Sequence, residues 1–303
     1  MSSKQLYRPG AAAPLVVFRT MRTWDNGLLS VRQSGLVRAW LGAPVLLADV
    51  SWGQLDTKVL HVRAGSREVI VKGAGGANHH IGRELTAHRG HTGRLVAAGL
   101  AGELLHGCRE AGIMVLEYQP GVLVEGTAAE YSPDIHEQAG AALRLLHGTG
   151  GRRDEDHEAG ATARALRWLD ARHLVDAATE RAARRRLAEH GVHPVTVVPT
   201  HGDWQPRNWL SENGKLRVID FGRFAFRPAA TDLCRLAVQQ WDTHPELEAA
   251  FLAGYGADPR EAGCWAVELL REAIGTAVWA HAVGDAPFEA QGHRMLKEAL
   301  ARF

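Results

Sequence analysis

Between His201 and Gly222 the chain reads HGDWQPRNWLSENGKLRVIDFG. Asp203 is followed five residues later by Asn208, and twelve residues beyond that by Asp220 in an Asp-Phe-Gly triplet. These residue types at this spacing suit phosphoryl transfer from a nucleoside triphosphate. Asp203 is placed to hold an acceptor hydroxyl and take its proton. Asn208 offers magnesium a neutral oxygen and Asp220 a charged one, which matches that ion's preference for hard oxygen ligands. Such a transfer asks little covalent chemistry of a protein. It asks for positioning, and for cations that offset charge on the phosphate oxygens.

The elements that must position these groups are legible around them. Asn213-Gly214 lies between Trp209-Leu210 and Leu216–Ile219, the strongest short signal for a β-hairpin. That hairpin returns Asp220 to the edge where Asn208 sits. The first 120 residues read mostly as strands, at Val45–Val50, Lys58–Arg63, Glu68–Lys72 and within GIMVLEYQPG. Two helices accompany them, one over 25–41 capped by Asp25 or Asn26, the other in HHIGRELTAHRG. After Gly121 the chain turns helical, from Asp134 to about His147, across 158–190, and again from about Thr231. Residues 148–160 read as a flexible surface loop.

Other residues supply candidate supporting parts. Lys72, at a strand end, is placed to grip the phosphates. Glu84 is the only acidic residue between Gly73 and Gly102, and so the expected partner of that lysine. Ser51 and Gln54 lie in the loop between the first two strands and could donate to phosphate; as an ordinary hairpin loop the segment needs no such role. Leu116 to Gln119, with Glu117 and Gln119, suits a hinge that meets adenine through backbone groups. Arg207 either brings positive charge to the γ-phosphate or bonds a nearby carboxylate, and both readings stay open. GAGGAN fails the dinucleotide fingerprint because Asn78 stands where its third glycine belongs. Asn78-His79-His80 lacks the spaced partners of a metal set. Trp204 and Trp209 suit packing of the loop better than stacking on a substrate.

Bulk composition sets the bounds. The chain has 303 residues, 46% apolar and 23% charged, enough for two lobes with a full core. Its formal charge of +1 gives no reason to expect a nucleic acid partner. Three cysteines without C-x-x-C spacing argue against a disulfide framework or a zinc site and favour a reducing cytoplasm. Lys4 and Arg8 precede the apolar run Ala11–Phe18, but Pro14 interrupts it and Arg19 and Arg22 follow, so no secretion signal is expected. No run of about 18 apolar residues suggests a membrane span.

With His201, Gly202, Asp203 and Asn208 forming H-G-D-x-x-x-x-N, Asp220 following, and Asp232-Leu233 beyond, the chain resembles the aminoglycoside phosphotransferase family of protein-kinase-like small-molecule kinases. The resemblance spans nearly the whole chain in order and is specific at His201–Gly222 and Thr231–Leu236. It implies an α+β bilobal fold, with a β-rich nucleotide-binding lobe over residues 1–119 and a larger, mainly helical lobe over 120–303. It further implies that Asp203 is catalytic, that two magnesium ions sit on Asn208 and Asp220, and that Asp232-Leu233 buttresses the site. ATP or GTP is the implied donor. The acceptor is a small-molecule alcohol: an antibiotic of aminoglycoside, nucleoside or peptide type, or else a metabolite of choline, homoserine or sugar type. A nucleotide-binding pseudokinase is disfavoured because all three polar residues are present. Protein kinases carry Arg before the catalytic Asp and usually Lys two residues after it; Gly202 and Gln205 stand there in this chain, which favours a small-molecule acceptor.

Overall fold

The computed structural model describes residues 23–53 and 56–303. Gln54 and the apolar run 11–18 lie outside the described residues.

The chain opens with α1 (Val31–Leu41), then β1 (Pro44–Asp49), β2 (Lys58–Ala64), β3 (Arg67–Gly73), α2 (His80–Gly90), α3 (Gly93–Ala97), β4 (Leu104–Cys108) and β5 (Ile113–Glu117). The five strands form one antiparallel sheet in the order β1-β2-β3-β5-β4. Alternation explains which face is buried. Leu60 and Val62 of β2 and Val69 and Val71 of β3 point to a core with Val37 of α1, while His61 and Arg63 face outward. The helix expected over 25–41 begins later, at Val31. Ser30 caps it, accepting from the Gln33 amide, and the Gln33 side chain bonds back to Ser30. Asp25 instead closes the preceding turn by accepting from the Leu29 amide.

The remainder is mainly helical. A short β6 (Val122–Leu123) leads to α4 (Pro133–His147), β7 (Arg152–Asp154), α5 (His157–Leu169), α6 (Ala177–His190) and β8 (Val195–Thr200). The hairpin β9 (Trp209–Glu212) and β10 (Lys215–Val218) follows, then β11 (Ala225–Arg227), α7 (Cys234–Ala237), α8 (Gln240–Thr243), α9 (Pro245–Tyr255), α10 (Ala262–Val283) and α11 (Ala286–Leu300). Asn213 and Gly214 both take positive φ, 52° and 74°, and Glu212 pairs with Lys215, as a two-residue hairpin turn requires. Part of the stretch expected to be a loop is a strand: Arg152–Asp154 pairs with Val195–Val197. No helix among the described residues is long and apolar enough to cross a membrane.

The main core sits under the site. Ile135, Ala139, Ala142, Leu143 and Leu146, on one face of α4, meet Trp204, Trp209, Phe221 and Phe251. Helices α4 and α9 touch backbone to backbone. A Cβ on Gly140 would lie 2.0 Å from the Phe251 carbonyl oxygen, and one on Gly254 would lie 1.9 Å from that of Glu137. Gly140→Ala must therefore pry the helices apart. A loss of about 3 kcal/mol, the upper end for overpacking, is expected in urea unfolding; an unchanged midpoint would show that the helices can separate freely.

Candidate active site

The site gathers where the sheet, α2 and the β9–β10 hairpin meet. Lys72 leaves the end of β3 and is 7% exposed, so its charge needs partners. Its Nζ lies 2.8 and 3.0 Å from the two carboxylate oxygens of Glu84 on α2, and 3.1 Å from Oδ1 of Asp220, 148 residues along the chain. Burial works against the ammonium, but Asp220 and Glu84 outweigh it and hold its pKa above the ordinary lysine value. Glu84 also accepts from the Phe221 amide at 3.3 Å, and His80, at the start of α2, bonds the Gly222 carbonyl at 3.0 Å. Helix α2 is thus fastened to the segment that carries Asp220. Asp220 takes a left-handed conformation, φ 65° and ψ 70°, which costs a non-glycine residue about 1–3 kcal/mol. Protein surrounds its carboxylate on most sides, yet 53% of the side-chain surface stays open to the cleft.

Asp203 heads the loop between β8 and β9. The buried carboxylate of Asp232 supports that loop from below, accepting from the His201 amide at 2.8 Å and the Gly202 amide at 2.6 Å, with His147 at 3.1 Å. His201 bonds the Ile219 carbonyl at 3.0 Å, tying the loop to the strand that precedes Asp220. Gly202 has φ 81°, and a Cβ there would fall 2.4 Å from the Arg223 carbonyl oxygen. This close approach admits only glycine where protein kinases place arginine. The Asn208 amide nitrogen donates to the Asp203 carbonyl at 2.7 Å, and the Asn208 carbonyl accepts from the Ile219 amide at 3.0 Å. Its side-chain oxygen has no protein donor among the described residues. Asn208, just before β9, and Asp220, just after β10, therefore present hard oxygens at the open end of the hairpin, a donor set that fits magnesium.

The Asp203 carboxylate is held by more groups than the sequence suggested. Arg207 lies 2.8 Å from Oδ2, Arg235 of α7 lies 3.1 Å from Oδ1, and Gln205 donates to Oδ1 as well. Burial would raise its pKa, but Arg235, Arg207 and Arg223 overcome burial and hold it far below the usual carboxylate range. Arg235 is itself pinned at 2.8 Å by Glu272 of α10. Sequence reading missed Arg235 and Glu272. The one available signal was that Arg235 follows Asp232 by three residues, on the same side of a helical turn. The positive charge that protein kinases place two residues after this aspartate arrives here from α7.

The remaining candidates fall less centrally. The Ser51 hydroxyl bonds Asp49 and accepts from the Val59 amide at 2.9 Å, so it is spent within the β1–β2 loop. From the same loop Trp52 reaches across the cleft to Trp279 of α10, ring centroids 6.3 Å apart, with the Arg207 guanidinium 5.8 Å from its ring. Glu117 ends β5 with its side chain exposed, and its amide bonds the Glu103 carbonyl at 2.9 Å. The Gln119 side chain turns back on the Tyr118 carbonyl at 3.3 Å. Trp204 and Trp209 are fully buried packing residues.

The match to the family model for the phosphotransferase enzyme family covers residues 53–265, which includes every part of this constellation except Ser51, Trp52, and Glu272 and Trp279 of α10. The chain belongs to that family. Its fold is the protein-kinase-like one of the solved relatives, and it is a small-molecule kinase. The choline kinase of Streptococcus pneumoniae aligns with a TM-score of 0.64 at 17% identity, over 90% of this chain and 100% of its own. A thermostable mutant of aminoglycoside phosphotransferase APH(4)-Ia, in complex with ADP and hygromycin B, aligns with 0.64 at 15% identity, over 89% and 98%. The macrolide 2'-phosphotransferase of Brachybacterium faecium aligns with 0.54 at 19%, over 86% and 95%. No curated protein matches the sequence.

Two outcomes are expected of the kinase. Lys72→Ala and Glu84→Ala should each raise KM for the nucleotide, with non-additive effects in a double-mutant cycle, since either change breaks the same contact; additive losses would show that the residues act separately. With Arg235 in place, kcat/KM should show no ionisation of Asp203 down to the lowest pH at which the chain stays folded. Arg235→Met should raise the Asp203 pKa by about 1–3 units, the usual influence of an adjacent cation. Activity in that variant should then fall as pH drops through the new value. Superimposable pH profiles would exclude the ion pair as the cause.

Proposed function

We propose that this kinase moves the γ-phosphoryl group of ATP to a hydroxyl of a small molecule, an antibiotic alcohol of nucleoside or peptide type, giving a phosphate ester and ADP. The observation that carries the reading is that Lys72, Glu84 and Asp220 meet in one cleft beside Asp203. Asp203 orients the acceptor hydroxyl. The new oxygen–phosphorus bond forms as the bond to ADP breaks, and the hydroxyl proton passes to Asp203 and then to water. A carboxylate this acidic is a weak base, so its work is orientation, with proton uptake late, as a loose transition state allows. Lys72 grips the phosphates. Asn208 and Asp220 would hold magnesium, which neutralises charge on the phosphate oxygens.

Electrostatics around Asp203 support an acceptor without strong positive charge. Arg207 and Arg235 contact the carboxylate and Arg223 lies beside it. Among nearby acids, Glu272 is paired with Arg235, and the exposed Glu125 lies near Arg207. A polycationic aminoglycoside or a choline-type cation would meet the exposed Arg207 guanidinium here, with the buried Arg235 behind it. A metabolic sugar-type alcohol satisfies the same constraint and is the second reading.

The test is ADP release with magnesium across nucleoside and peptide antibiotics, sugars, aminoglycosides and amino-alcohols, with product mass as confirmation. Phosphorylation of a neutral or anionic alcohol is expected; turnover of aminoglycosides alone would overturn the charge reading. Asp203→Asn should lower turnover at least ~100-fold, the low end for losing a positioned proton acceptor. Near-normal turnover in a folded variant would remove Asp203 from the mechanism.

A further inference from the structure

Two imidazoles from the end of α6 and the chain just after it meet a thiol from α10. His190 ends α6, His193 lies in the connection to β8, and Cys264 sits in the first turn of α10. One potential ligand atom from each lies within 4.8 Å of the others. Local spacing gave no hint of this, because the thiol joins the histidines only through the fold. The Cys264 sulfur is 3.5 Å from Nε2 of His193. Tetrahedral zinc, with bonds of about 2.3 Å to sulfur and 2.0–2.1 Å to nitrogen, sets those atoms roughly 3.5–3.6 Å apart.

The surroundings match what zinc ligands need. Nε2 of His190 lies 2.9 Å from the Glu158 carboxylate, which is 1% exposed and held at 2.7 Å by Arg271. A metal-bound imidazole usually gives its other nitrogen to such a carboxylate, which fixes the ring and strengthens the ligand. That leaves Nδ1 of His190 for the metal. The Glu261 carboxylate lies beside the cluster, 3.9 Å from the sulfur. The neighbouring cluster of His157, Glu158 and Glu268 is a poorer candidate. Arg271 already lies 2.7 Å from Glu158 and 3.1 Å from Glu268, so a cation is present there.

We propose that His190, His193 and Cys264 form a zinc site that staples the end of α6 to the start of α10. The staple bears on the kinase site through one rigid element. Glu272, which pins Arg235 against Asp203, lies eight residues beyond Cys264 on the same helix, about 12 Å along its axis.

Cobalt(II) titration of the reduced, full-length chain tests this. One equivalent should produce a thiolate-to-cobalt charge-transfer band with intense tetrahedral d–d bands, and zinc should displace it. Zinc should raise Tm, and a chelator should reverse the rise. Cys264→Ser should lose the charge-transfer band while keeping the far-ultraviolet circular dichroism and metal-free Tm of the wild type. His193→Ala should weaken cobalt affinity strongly, and Glu158→Gln about 10–100-fold, the usual effect of losing a ligand's hydrogen-bond partner. Asp203→Asn, which removes the kinase function, should bind cobalt as the wild type does, so this result stands apart from the catalytic reading. Absence of a saturable band in the wild type, or the same band in Cys264→Ser, would overturn the proposal.

Discussion

A buried ammonium shared between two carboxylates sets the geometry of the site. Lys72 belongs to the sheet, Glu84 to α2, and Asp220 to the segment after the hairpin, so one charge fixes three elements that share no sequence neighbourhood. An isolated charge at this depth is not tolerated, and removing one partner of such a pair costs about 3–5 kcal/mol. The chain therefore folds so that β3, α2 and the Asp-Phe-Gly segment meet. The left-handed conformation of Asp220 persists because this contact and the hairpin hold it. Asp232 performs the same service under the catalytic loop, where a buried carboxylate gathers the two backbone amides of His201 and Gly202. Both devices use a carboxylate whose alternative, burial without donors, is worse.

What could be read from sequence follows the range of the interactions. The Asn213-Gly214 turn is decided by four residues, and the structure pairs Trp209 with Val218 and Leu210 with Arg217 as local rules require. Strands β2 and β3 announce themselves by alternation. The pairing of Lys72 with Glu84 was legible for a negative reason: no other acid lay in the segment. Local rules misplaced the start of α1, because Asp25 and Asn26 have capping side chains, yet Ser30 has the better arrangement with Gln33 three residues on. They missed β7, since Arg152–Asp154 is charged, three residues long, and a strand only because β8 lies beside it. They missed Arg235 and Glu272, whose meaning exists only after α7 and α10 have packed.

The arginines at Asp203 connect these points to specificity. Solved relatives are bound to or named for choline, hygromycin B and macrolides. Around the Asp203 loop stand a guanidinium from α7, locked by a glutamate from α10, and Arg207 on the other oxygen. Arg235 is fully enclosed and doubly paired, so it belongs to the framework. The Arg207 side chain is 28% exposed and stands by Trp52, so of the two it is the one open to the cleft. Of the two readings left open for Arg207 in the sequence, a partner for a carboxylate and a cation for phosphate, the structure shows the carboxylate contact.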